Sequence, residues 1–480
     1  MTPSTVDDLD TDLDPSRLPA GNLLDRDLAK VVAFAESGLF EEYVVYENHG
    51  DWEIAAGILG SVVMTGRTVT TTWDGVDSVS EWSDDPALAL QDSLAALPVQ
   101  HWNAYGWVSF EFSAYTHCVP AGRPLGESTL AHLIIPRVEI TFGRSLGDDI
   151  VVTGGTPADA AALTDVLRRV TAVVPPSSGA VDVFTDTDSY RERAAAAIDE
   201  VRRGDYTKVI LSRTVPVTFD VDLPNTYRVG RLANTPARSF LLNLGDIAAA
   251  GFSPELVVAV DGRRRVSAEP LAGTRALGVG PEADAAARND LEEDPKEIAE
   301  HAVSVRTAFR EVASVSTGDS TTVTDFMSVR ERGSVQHLAS TVRGLLRDDL
   351  SPWDAFAAVF PAVTASGIPK RESIDAIARL DNGERGLYSG AVVRASSTGT
   401  LEAALVLRAV YQQQGRTWLR AGAGIVAQST PDREFDETCE KLTSVAPYLI
   451  RRQHPSAVEV SGTEVSGADA FDVSAFDVEG

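Results

Sequence analysis

From Tyr43 onward the chain is a succession of short stretches in which apolar and polar residues alternate. The early ones are YVVYE, WEIAAGIL, SVVM, RTVTTTW and GWVSFEF. Later come KVILSRTVPV, RSFLLNL, ELVVAV, RRVSAEP, SVQHLASTV, LYSGAVVRA, LEAALVLRAVYQ and TWLRAGAGIV. Alternation at every second residue puts side chains on opposite faces of a strand, and the turns between the stretches predict antiparallel pairing. Helical spacing interrupts this pattern in four places. Residues 156–171 open with a cap-like Thr and carry Leu163, Val166 and Leu167 on one face; residues 182–200 carry Tyr190, Ala194 and Ile198 at four-residue spacing. Two more helices are expected around 288–313 and 431–450. No strand–helix–strand unit holds a GxGxxG or GKS loop, which excludes a nucleotide-binding α/β sheet. The expected class is α+β: large antiparallel sheets with helices on their outer faces.

Of the 480 residues, 44% are hydrophobic, enough for a sizeable core. The formal charge of −28 excludes a general nucleic-acid binder, which needs a basic footprint. Part of that charge is local. Residues 1–20 hold five Asp and one Arg, and residues 455–480 hold six acids and no base; both are expected to be disordered tails. The folded part is then 21–454, with the Val/Ser/Pro segment 173–181 either separating two halves or forming a loop within one domain. Cys118 and Cys439 cannot make a disulfide framework, and no Cys/His cluster suggests zinc. The N-terminus is acidic where a signal peptide is basic, and no apolar run nears ~18 residues. A cytoplasmic protein with no membrane association is expected.

The chemistry-bearing residues begin with two acidic helices. Glu297 and Glu300 share one face of DPKEIAEHAVSVR, and Glu434, Glu437 and Lys441 share one face of TPDREFDETCEKLTSV. These are either two solvated surfaces or, if they converge, four carboxylates suited to a hard divalent cation such as Mg²⁺. Lys208, opening KVILSRTV, is an edge charge or a desolvated base. Glu255 in GFSPEL is a surface carboxylate or, if buried, a proton donor. Arg408 should face opposite to Leu405 and Leu407, either outward or as a carboxylate clamp in a cleft. The AGAG run 421–424, read as following a strand, offers backbone amides to a carboxylate, and PLAGTR lets a ligand approach the chain closely; either is also explained as a turn. His337 in SVQHLAST is a core histidine or an active-site group.

In order and spacing, KVILSR, GFSPEL, EPLAGTRALG, DPKEIAEH, SVQHLAST, FPAVTASGIPK, RGLYSGAV, LRAGAGIV and REFDETCEKL resemble the chorismate-utilising enzymes, over roughly residues 40–453. Within that family the chain is similar to the members that make salicylate for mycobactin-type siderophores. The resemblance implies one large domain, with an N-terminal part 21–180 and a motif-bearing part 181–454, in which two antiparallel sheets enclose the active site. It implies Glu300 and Glu437 as direct Mg²⁺ ligands, with Glu297 and Glu434 nearby through water. It makes Lys208 the base that activates water and Glu255 the acid for the departing C4 hydroxyl. Tyr388, Arg408, Lys441 and the backbone of Gly422, Ala423 and Gly424 would hold the substrate carboxylates. Gly273 and Thr274 would line the ring side, with His337 and Thr364 close by.

Members that add ammonia carry Gln where Lys208 stands, and members with a covalent lysine carry it where Ala272 stands. The pairing of Lys208 with Ala272 leaves water as nucleophile, so the resemblance implies isochorismate as first product and no glutamine amidotransferase partner. Loss of pyruvate would then give salicylate. An isochorismate synthase that stops at the first product is the runner-up, and a non-catalytic aromatic-acid-binding protein is the reading from another class. A monomer acting on chorismate is expected.

Overall fold

The computed structural model describes residues 20–83, 85–120, 128–168, 178–278, 280–332 and 335–453. The expected tails lie outside these residues, apart from Ala20, which begins a helix. Among the described residues, no helix is long and apolar enough to cross a membrane.

The strands join in one antiparallel network with two arms. The first arm runs through Lys208–Val217, Arg416–Ile425, Ala409–Gln413, Ile247–Ser253, Arg238–Leu244, Tyr43–Asn48 and the start of Asp51–Thr65. The second runs from the start of Thr129–Gly143 through Asn103–Val108, Ala391–Ser396, Leu401–Leu405, Leu256–Val260 and Arg265–Ala268 to Val335–Leu345. Leu271–Ala276 and Thr322–Arg332 flank that last strand. The arms meet where the two 15-residue strands Asp51–Thr65 and Thr129–Gly143 pair along their length, with a register shift between Ile58 and Gly60. An extra residue at such a point bends a strand, so one ribbon serves both arms.

A second corner positions the site. Strands Ile247–Ser253 and Leu256–Val260 are separated by Pro254 and Glu255, and their partners Ala409–Gln413 and Leu401–Leu405 by residues 406–408. Phe252 N donates to Arg408 O at 3.1 Å, Leu405 N to Glu255 O at 3.1 Å, and Ser253 Oγ to Leu405 O at 2.5 Å. LEAALVLRAVYQ is therefore two strands, and the alternation expected at Arg408 is interrupted; Arg408 adopts φ 51°, a left-handed conformation that a non-glycine residue holds only where its surroundings enforce it.

Between the arms lies a core that takes Val44, Ala55, Phe240 and Leu242 from one side and Tyr105, Ile134, Val392 and Ala404 from the other. The larger of these, such as Phe240, Leu242 and Ile134, contribute ~1.5–3 kcal/mol each on burial. Helices cover the outer faces: Ala20–Glu36, Pro157–Arg168 and Leu223–Ala233 on the first arm, Pro86–Ala95, Pro295–Val315 and Pro352–Val359 on the second. Helix Ala20–Glu36, not anticipated from sequence, buries Leu28, Val31 and Phe34, spaced three apart.

Three helix expectations need correction. The helix expected over 182–200 starts at Tyr190, because Asp182 accepts from Phe184 N and Asp186 from Tyr190 N and Arg191 N, turning the chain before it. The one expected over 288–313 is two, Pro281–Glu293 and Pro295–Val315; Asp294 caps the second through Lys296 N and Glu297 N. The one expected over 431–450 ends at Leu442, followed by a single turn at Ala446–Tyr448. GWVSFEF also leaves the sheet after Val108 and turns into Phe112–Thr116.

Candidate active site

Lys208 opens strand Lys208–Val217 and is 6% exposed. Its Nζ donates to Glu300 Oε1 at 2.5 Å, an ion pair that satisfies a buried ammonium. Glu300 comes from helix Pro295–Val315. Helix Pro431–Leu442 supplies Glu437 and Lys441, paired at 2.8 Å across one turn. Burial pushes the Glu437 carboxyl up, but Lys441, Arg433 and Lys208 outweigh it, so it stays below the usual carboxylate range. Lys441 also donates to Gly422 O at 2.8 Å. Lys208, Glu300, Glu437 and Lys441 line one cavity. The two acidic helices do converge.

Glu255 lines the same cavity from the second corner and is 4% exposed. Burial pushes its carboxyl up to about 8; the Thr364 hydroxyl, donating at 2.8 and 2.9 Å to its two oxygens, opposes this, while Glu269 adds to it. At neutral pH the group is mostly a carboxylic acid, able to give a proton.

His337 connects two walls. Its Nδ1 is 2.8 Å from Gly273 O and its Nε2 is 2.9 Å from Arg408 Nη2. Burial and the neighbouring Arg408 push the imidazole down to about 3, so it is neutral. The consistent tautomer donates from Nδ1 to the carbonyl and accepts from the guanidinium at Nε2. Arg408 is itself lowered to about 10, by burial first and by Arg332 second, and among the described residues it has no ion-pair partner. A half-buried cation without a counter-ion suits an anion.

Tyr388, Gly422 and Gly424 complete this side of the cavity. The AGAG run lies inside strand Arg416–Ile425, in register with Lys208–Val217, not after a strand as expected. Its glycines make room: a Cβ on Gly422 would stand 2.7 Å from Leu211 O and 2.9 Å from the Tyr388 hydroxyl, and one on Gly424 3.0 Å from Lys208 Cε. Ala423 is fully buried and is not on the cavity wall. Gly273 lines it and has φ 69°; a Cβ there would meet Glu297 Oε2 at 2.9 Å. Thr274 follows in strand Leu271–Ala276, and its side chain lies outside the described part.

Glu297 and Glu434 stand beside the cavity rather than on its wall. Glu297 accepts from Arg275 Nη1 at 3.2 Å, and burial nevertheless pushes its carboxyl up. Glu434, also raised by burial first and Glu437 second, keeps Oε2 buried with no hydrogen-bond partner among the described residues. Among the described residues no three acidic, His or Cys side chains stand close enough together to hold an ion as they are. The donors still suit a hard cation: all are carboxylate oxygens, one is unengaged, and two have a lysine ammonium as counter-charge. Sequence reasoning missed Arg420, Leu271 and Leu407 on the cavity wall. Arg420 was legible only as another strand charge. Its guanidinium is taken up by Ser212, Glu384 O and Asp381, so it builds the wall without being free for a ligand.

This fold, with an anion-receiving cleft at its corner, defines a class. The chorismate binding enzyme family matches residues 41–447, and the chain belongs to it. A salicylate synthase of Mycolicibacterium paratuberculosis is 48% identical over 86% of this chain and 91% of its own. An anthranilate synthase component 1 of Halobacterium salinarum is 36% identical over 60% of this chain and 55% of its own. Among solved structures, anthranilate synthase component I from Streptococcus pneumoniae superposes with a TM-score of 0.68 at 25% identity, over 83% of this chain and 92% of that one. The menaquinone-specific isochorismate synthase from Escherichia coli shares the fold with a TM-score of 0.65 at 17% identity, over 86% and 91% of the two chains.

Proposed function

We propose that this protein converts chorismate to isochorismate and then to salicylate and pyruvate, with Mg²⁺ as cofactor, for siderophore synthesis. The observation that carries the reading is one cavity lined by both Lys208 and a protonated Glu255. Hydroxide is a poor leaving group, so exchange of a ring hydroxyl needs an acid for the oxygen that leaves and a base for the water that enters. Lys208, as the neutral amine left once its ammonium has given up a proton to solvent, takes a proton from water as that water adds at C2. Glu255 gives its proton to the C4 hydroxyl, which departs as water while the ring double bond shifts. One water enters and one leaves, so the step is an isomerisation. In the second step a ring hydrogen moves to the methylene carbon of the side chain as the ether C–O bond breaks, releasing pyruvate. That step asks the protein chiefly for positioning.

Positioning falls to Arg408 and Tyr388, with Lys441 and the backbone of Gly422 and Gly424 on the other carboxylate. Neutral His337 holds the Arg408 guanidinium without consuming its charge. Glu300 and Glu437, with Glu297 and Glu434 behind them, would hold Mg²⁺, which when bound neutralises a substrate carboxylate among four acidic side chains. We read the chain as acting in the cytoplasm, as a monomer, without an amidotransferase subunit. The test is product analysis after incubation of chorismate with Mg²⁺. Salicylate and pyruvate in equal amounts are expected. Isochorismate alone would restrict the activity to the first step, and unchanged chorismate would overturn the reading.

A further inference from the structure

Glu111 lies outside the cavity and outside the machinery above. It precedes the short helix Phe112–Thr116 and is 7% exposed. Its carboxylate faces the turn that carries Tyr388: Oε1 accepts from Arg385 N at 2.6 Å and Oε2 from Gly386 N at 3.0 Å. Phe110 N donates back to Gly386 O at 2.8 Å. The fit is close, since a Cβ on Gly390 would stand 2.3 Å from Val108 O. On its other side the turn is bonded to the chain just before Arg408: Ser389 N donates to Val406 O at 2.9 Å, and Val406 N to Gly390 O at 3.0 Å. The side chain of Arg385 reaches Ile210 O at 2.6 Å and Ala365 O at 2.9 Å, beside Lys208 and Thr364. One turn thus touches the segments that bear Tyr388, Arg408, Lys208 and Thr364.

We propose that Glu111 is a positioning residue: by holding the amides of Arg385 and Gly386, its carboxylate sets the turn that carries Tyr388 and thereby the grip of the site on a substrate carboxylate. This rests on the function proposed above. A carboxylate serves two amide donors with two acceptor oxygens, whereas its protonated form puts a hydrogen against one of them. The group is placed to feel that difference, since burial pushes it up to about 7. The amides of Arg385 and of Glu111 itself oppose the burial, Glu384 adds to it and Arg420 subtracts. The helices packed on Phe112–Thr116 bring Asp92, Asp354 and Lys370. Asp92 is exposed, Asp354 caps its own helix with Ser351, and Lys370 is paired with Glu311. The remaining charges of helix Lys370–Leu380 are exposed, or, for Asp375, paired with Arg379.

The experiment compares wild type, Glu111→Gln and Glu111→Asp in steady-state assays with chorismate across neutral pH, with a melting curve for each. Wild-type KM should rise as pH falls through about 7. In Glu111→Gln, KM should stand at every pH about tenfold above the value wild type shows on the alkaline side of pH 7, the two converging in acid, with kcat within about twofold, because what is lost is placement of a binding group. Glu111→Asp, which keeps the charge, should keep the pH dependence of KM. An unchanged KM in a folded Glu111→Gln protein overturns the proposal, as does the same pH dependence in wild type and Glu111→Gln. If wild type turns over no chorismate, the function reading has failed. The clamp is then judged by calorimetric binding of chorismate to wild type and Glu111→Gln, where equal affinity sinks it.

Discussion

On the proposed roles Lys208 and Glu255 divide the work of the first step, so removing either should block both products from chorismate and yet leave the second step itself intact. Lys208→Ala should cut isochorismate formation by ~10²–10⁴, the usual worth of a positioned base, and Glu255→Gln should do the same for the acid. Supplied isochorismate should still give salicylate and pyruvate in Lys208→Ala, measured above its uncatalysed breakdown. Loss of both steps in a variant that still binds isochorismate would show Lys208 acting twice. Glu255 also carries a pH signature. Its folded pKa of about 8 lies above that of an exposed carboxyl, so the folded state holds a proton the unfolded chain releases. The stability this gives is complete in acid and is lost as pH rises through about 8; the melting temperature of wild type should fall over that range more than that of Glu255→Gln. Turnover should decline over the same range as the acid loses its proton. Both roles were visible in the sequence only as alternatives, because burial decides them. The strand lysine and the Glu after Pro254 read equally well as surface charges until the fold brings both onto one cavity.

At the level of helices, Pro295–Val315 and Pro431–Leu442 bring carboxylates to one cavity, and a divalent cation should be needed to use them. EDTA should abolish turnover and Mg²⁺ restore it; full activity in metal-free buffer would refute the assignment. Glu437→Gln should lose activity while keeping its melting curve, since it removes one charge at nearly constant size. Asp294→Ala should cost about 1 kcal/mol by removing the cap of the first of these helices, read as a lower melting temperature. The cap was legible: Asp294 followed by Pro295 is a start signal, as are Asp85 before Pro86 and Ser351 before Pro352, and reading 288–313 as one helix passed over it. The break between Leu405 and Ala409 was not legible. LEAALVLRAVYQ carries no Gly or Pro to mark a break, and it is Ser253 and Phe252, distant in sequence, that draw the chain out of the sheet there.

Over the whole molecule, alternation was enough to predict large antiparallel sheets with outer helices, but not that two long strands would weld the arms together, since pairing partners leave no local mark. The limits 21–454 can be tested directly. A chain cut to those residues should keep kcat within about twofold, because neither removed segment has the apolar content of a packed element. A further cut to residue 37 should unfold or strongly destabilise the protein, because it strips Leu28, Val31 and Phe34 from the first arm. The second corner has one more consequence. Glu255 and Arg408 sit in the breaks through which each strand passes from one arm to the other, so the two arms are like the legs of a caliper and the site is at its joint. A substitution far out on either leg that alters its twist changes the gap between the Glu255 carboxyl and the Arg408 guanidinium. Sequence variants that impair the enzyme should therefore include some that touch nothing in the cavity and leave the melting temperature unmoved.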